Sequence, residues 1–205
     1  MSLTVTYDLS LASTSIDTYL SDWATGFFTA GHGYSNTGGF NTGTFSGSQY
    51  ATHGANGSDY AFIAGSDTAN GLNYVFNPAL PASSNLNHYL WGSLDEVSLG
   101  YQLDGGSGSN YTLDSEVVTF SGLDLEAALG AGRTGNEVHQ VIYGLMQGDT
   151  SALAAVINQL LEGYEVTTAD SFAAVAAALA NGPVNAVSAE AVGVQSQVDD
   201  LALAA

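Results

Sequence analysis

The 205 residues include no cysteine, no lysine and one arginine, Arg133, so the side chains able to hold a metal or move a proton are four histidines and some of eleven tyrosines. The missing cysteines exclude disulfides, thiolate metal sites and a cysteine nucleophile. His32 sits in AGHGYSNTGG, a glycine-rich stretch directly after an expected helix, where a histidine is ordinarily solvated but where the loop could swing over a ligand. His53 has the same surface reading. His139 lies on VHQVIYGLM beside an apolar face, as a satisfied core or boundary histidine would, and His88 precedes a strand. By composition alone none of the four is marked as a ligand. Asp95 and Glu96 are adjacent, which on a regular strand sends them to opposite faces and excludes a carboxylate acid/base pair. GGSGSNYTL at 105–113 partly matches a calcium-binding nonapeptide, with Asn110 in place of Asp, but such a coil needs stacked repeats and only one copy is present. No GxSxG elbow occurs, so nucleophilic hydrolysis has no support.

The elements that must position these residues change character near the middle of the chain. Up to about residue 125 the sequence is rich in Gly, Ser, Thr, Asn and Tyr. It carries short alternating runs at 3–9, 49–53, 60–64, 72–76, 88–100 and 116–125, which read as antiparallel strands. In the fifth run Tyr89, Trp91, Val97 and Leu99 share one parity while Leu90 and Leu94 take the other. Ile16, Tyr19, Leu20, Trp23 and Phe27 recur at helical spacing after Thr14 and Ser15, predicting a helix over 15–28. After 135 the period is helical. Val138, Val141, Ile142, Leu145 and Met146 form one face that Gly148 ends, and Asp149 or Thr150 caps a second helix carrying Leu153, Val156, Ile157, Leu160 and Leu161. Asp170 is expected to cap a third, alanine-rich helix. Strands segregated from helices, without βαβ alternation, predict an α+β domain over 1–180 with helices on one face of an antiparallel sheet. Residues 181–205 read as a tail.

Twenty acidic groups against one basic group give a formal charge of -19. Such a surface repels phosphates and anionic head groups and has no basic patch for counterion release, which excludes nucleic acid and membrane surfaces as main partners. Disorder is excluded too: hydrophobic residues make up 45% and include eight Phe and two Trp. A chain this long buries roughly 70% of its unfolded surface. The N-terminal stretch lacks the basic and apolar regions of an export signal, and no apolar run approaches the ~20 residues that span a bilayer, so the chain is expected to be soluble.

The segments SNTGGFN (35–41), FSGSQYA (45–51), AFIAG (61–65), LNYVFNP (72–78), HYLWGSLDEVSLG (88–100), VHQVIYGLMQGDTSAL (138–153) and the terminal DLALAA, with AGH ending at His32, resemble the HasA haemophores of Gram-negative bacteria. The resemblance runs from the first strand to the last residue. It implies a secreted, extracellular haem-scavenging protein: a curved antiparallel sheet backed by helices, holding haem b at its edge between two long loops. It implies His32 and Tyr74 as axial ligands of the haem iron and His88 as support for the tyrosine, with His53 and His139 matching no ligand position. It implies haem-donor proteins such as haemoglobin, an outer-membrane haemophore receptor and a type I secretion apparatus as partners, the last reading the C-terminal tail. The segment 75–87 is longer than the family's usual link between tyrosine and supporting histidine, which bears on where His88 lies.

The residue chemistry agrees with that implication. A tyrosinate is a hard anionic donor that favours ferric iron. Because free tyrosine ionises only near pH 10, it needs the metal's charge and an acceptor for its proton, which an adjacent His88 could supply. With one arginine in the chain, two propionates cannot both meet cations, Arg133 being the sole candidate, and they are expected in solvent. A tyrosine-ligated haem also suggests catalase-like chemistry. That chemistry needs an open distal position and charged helpers, whereas His32 would fill the position, so an enzyme is not expected. The alternative class is a calcium-dependent type I secreted acidic module without haem.

Overall fold

A computed structural model describes residues 3–28, 38–55 and 57–184. An open, eight-stranded antiparallel sheet is formed by β1 (Thr4–Tyr7), β2 (Gly39–Phe40), β3 (Ser46–Gly47), β4 (Gln49–His53), β5 (Tyr60–Gly65), β6 (Leu72–Val75), β7 (Tyr89–Asp104) and β8 (Thr112–Ala127). The main path runs β1-β8-β7-β5-β4-β2, while β6 pairs with both β7 and β3. Against it lie α1 (Ile16–Phe27), α2 (Glu137–Met146), α3 (Ser151–Leu160) and α4 (Phe172–Asn181), which share one buried apolar core with the sheet. The expected α+β architecture is therefore the observed one.

Local chemistry sets the helix starts. The Ser15 hydroxyl accepts from Thr18 N–H to cap α1, and Asn136 accepts from His139 N–H to cap α2. Asp149 accepts from Ser151 N–H at the start of α3. The expected cap at Asp170 is corrected. Ser171 caps α4 by accepting from Ala174 N–H, and the Asp170 carboxylate instead binds Thr167 N–H and Oγ1.

Two findings revise the strand reading. The two-residue strands β2 and β3 are too short to carry a period. The β7–β8 register shifts between Leu94 and Glu96: Leu94 faces Leu125 and Glu96 faces Ser121, so β8 carries the extra residues, a bulge at 122–124 opposite Asp95. Across this irregularity Val97 and Leu99 come onto the face that already holds Leu90 and Leu94, so all four join the core. Asp95 and Glu96 turn toward one outer groove, with Ser66, Asp67 and Asp124, rather than to opposite faces. There Asp95 Oδ2 accepts from Asp67 N–H and from the Ser93 hydroxyl. The calcium-like GGSGSNYTL becomes the β7–β8 hairpin loop and the first two residues of β8; in the loop Gly105, Gly106 and Gly108 take positive φ and Asn110 Oδ1 accepts from Asn41 Nδ2.

Candidate functional site

Tyr74 is fixed through its backbone on both sides. It lies opposite Leu90 in the β6–β7 register, and its N–H donates to the Phe45 carbonyl at 2.8 Å. The same register brings β7's first residues back beside β6. His88 Nδ1 consequently lies 2.6 Å from Tyr74 Oη, despite the longer intervening segment. His88 takes φ 56, the left-handed region, which side chains with a Cβ enter at a cost of about 1–2 kcal/mol. Asn87 holds it there: its Oδ1 accepts from both His88 N–H and Asn77 N–H, and its Nδ2 reaches the carbonyls of Leu80 and Pro81.

The tyrosine and histidine open onto a cleft of about 570 Å³. One wall is Phe40, Thr44 and Phe45, and the other is Leu90 with His139, Tyr143 and Met146 of α2. Rings flank the pair, Phe45 stacked on Tyr74 at 6.0 Å and Phe76 beside His88 at 5.1 Å, and both phenylalanines are exposed. Deeper in, Tyr50 donates to Met146 Sδ. Burial raises the Tyr74 phenol above the ordinary tyrosine value, a shift that the Arg133 charge opposes and Tyr143 adds to. The phenol thus holds its proton more firmly than a free tyrosine, within hydrogen-bond reach of His88 Nδ1.

Of the residues singled out in the sequence, the structure brings Tyr74 and His88 together. His32 lies outside the described residues. His53 ends β4 on the surface with Nδ1 2.8 Å from the Gly54 carbonyl. His139 is buried as expected, its Nδ1 accepting from Leu90 N–H and its ring stacked on Tyr143, yet it also forms part of the cleft wall. Phe45, Phe76, Tyr143 and Met146 were not singled out as site residues. The signal that could have found the phenylalanines is two large rings in segments outside any strand or helix period.

The family model described as heme-binding protein A (HasA) matches residues 1–205, the whole chain. The chain belongs to the HasA family. Hemophore HasA of Serratia marcescens is 40% identical over 196 residues, covering 93% of this chain and 98% of that one. The apo hemophore HasA from Yersinia pestis superimposes with a TM-score of 0.66 at 26% identity, covering 83% of this chain and 96% of that one. The holo form of the Yersinia pestis protein shares the fold with a TM-score of 0.66 at 23% identity, covering 84% of this chain and 94% of that one. Within the HasA family, then, this chain keeps the antiparallel sheet and the helices against it, and it presents a tyrosine–histidine pair at an aromatic cleft. The calcium-module alternative gains no support from the family or from these relatives, which are haemophores.

Proposed function

We propose that this chain is an extracellular carrier of ferric haem b, bound through Tyr74 and His32 with His88 supporting the tyrosine, and not an enzyme. The observation that carries this reading is the 2.6 Å contact between Tyr74 Oη and His88 Nδ1 at the mouth of an aromatic cleft. Haem supplies a Lewis-acidic ferric centre and a broad apolar face. Tyr74 supplies an oxygen that becomes a strong anionic donor once its proton leaves, and His88 Nδ1 is placed to take that proton. Metal charge is needed, because burial raises still further a phenol that already keeps its proton at neutral pH. Phe45, Phe76 and Leu90 offer apolar surface to the macrocycle, worth roughly 25 cal/mol per Å² removed from water. His32, which follows α1 in the sequence, would supply a second, nitrogen ligand.

Membership in a family of haem carriers supports delivery to an outer-membrane receptor and acquisition from donors such as haemoglobin. The terminal DLALAA supports reading of residues 181–205 by a type I secretion apparatus. The test is a haemin titration followed by Soret absorption. A saturable, stoichiometric spectrum lost in Tyr74→Phe is the expected result, and an unchanged titration in that variant rejects the ligand assignment.

A further inference from the structure

The segment between Tyr74 and His88 has no regular secondary structure beyond Val75, only successive turns closed by Leu80 N–H to Asn77 O, Ser84 N–H to Pro81 O and Asn87 N–H to Ser84 O. Turns of this kind at a surface open readily unless something outside the loop ties them down. The tie is visible. The guanidinium of Arg133, the chain's one basic side chain, donates from Nη2 to the carbonyls of Ser83 at 2.9 Å and Ser84 at 2.8 Å. Asn85 closes the same junction from the loop side. Its Oδ1 accepts from Arg133 N–H, Thr134 N–H and the Thr134 hydroxyl, and its backbone carbonyl also accepts from Arg133 N–H. Gly132, with φ 74, permits the approach, since a Cβ there would run into the Asn85 side chain.

The far side of this junction is rigid. Asn136, buried and capping α2, donates to Gly132 O at 2.7 Å and to Leu90 O at 2.8 Å. The turn bearing Arg133 is thus bolted to β7 two residues after His88. A chain of contacts runs from Arg133 through Ser83, Ser84 and Asn85 to Asn87, and from Asn87 to the left-handed backbone of His88.

We propose that Arg133 is a positioning residue: it clamps the long 76–87 loop so that His88 stands on Tyr74 before haem arrives. This deepens the haem-carrier reading and rests on it for the consequence in binding, but not for the clamp itself. It gives Arg133 a task other than neutralising an acidic group of the ligand, the task its position on the cleft wall would otherwise suggest.

The experiment compares wild type, Arg133→Ala and Asn85→Ala as full chains. In the haem-free proteins, amide hydrogen exchange and the ¹H–¹⁵N shifts of the His88 ring are read by NMR, with the His139 amide as a folding control. Both variants are expected to speed exchange at the Asn87 and His88 amides about tenfold or more, move the His88 Nδ1 shift, and leave His139 protected. Wild-type exchange at His88 in both variants overturns the clamp, whatever the haem result. Haemin and haemin dimethyl ester are then titrated. Equal losses for both ligands, on the order of 10- to 100-fold, are expected for a residue that acts through His88. A loss confined to haemin, absent with the ester, overturns the proposal in favour of a propionate contact. If wild type binds neither ligand, the haem-carrier reading fails while the exchange data still decide the clamp.

Discussion

Tyr74 Oη and His88 Nδ1 lie 2.6 Å apart although they stand fourteen positions apart in sequence, because β6 and β7 pair with Tyr74 opposite Leu90 and so return the chain beside its own starting point. The contact joins a phenol raised above the ordinary tyrosine value by burial to a ring nitrogen within hydrogen-bond reach. The pair is half-buried, flanked by exposed phenylalanines, and it faces a cleft.

Removing the two partners should have unequal effects. Tyr74→Phe deletes the proposed anionic donor and is expected to weaken haemin binding most. His88→Ala leaves the donor but removes its proton acceptor, for a loss of about 10- to 100-fold. His32→Ala should cost less than Tyr74→Phe. Haemin titrations of the three variants check the ranking, and a His32→Ala loss equal to or above that of Tyr74→Phe contradicts it.

Strong alkali should unfold the protein through its tyrosines. Tyr19, Tyr50, Tyr74 and Tyr111 are raised first by burial, and Tyr101 is pushed up to about 12, first by its hydrogen bond with Tyr60. A raised folded-state value means the native state keeps protons that the unfolded chain releases near pH 10. The associated stability is fully present below that pH and is lost as pH rises through the folded values. Urea midpoints measured near pH 8 and about pH 11 should show a clear fall at the higher pH, and equal midpoints would contradict it.

The register shift opposite Asp95 predicts a sharp contrast along three consecutive residues. Leu94→Ala removes a fully buried side chain and should cost about 2–5 kcal/mol. Glu96→Ala, on the outer face, should stay within about 0.5 kcal/mol. Asp95→Ala should fall between them, since it deprives Asp67 N–H and the Ser93 hydroxyl of their acceptor. Chemical denaturation of the haem-free protein measures all three.

Deleting residues 190–205 should leave haemin binding intact while keeping the protein inside the cell. Normal secretion of the shortened chain would refute a role of the terminal DLALAA in export.

Charge and composition, without any structure, already excluded nucleic acid, disulfides and thiolate chemistry, because those exclusions depend only on which side chains exist. The helices were legible for a related reason: a 3.6-residue period and a capping hydroxyl are local, and α1 and α2 begin within two residues of the expected positions. Tyr74 and His88 could be named through a family likeness, but their contact could not be read from spacing, since it depends on a strand register and on a turn-rich loop tied down elsewhere. The clamp is the clearest case. Arg133 stands 45 residues beyond His88 in sequence, and only the packing of the turn before α2 against β7 brings its guanidinium to Ser83 and Ser84. The face on which Asp95 and Glu96 lie was likewise decided by tertiary structure. A bulge is a property of two paired strands, and one strand's alternation cannot show where its partner loses step.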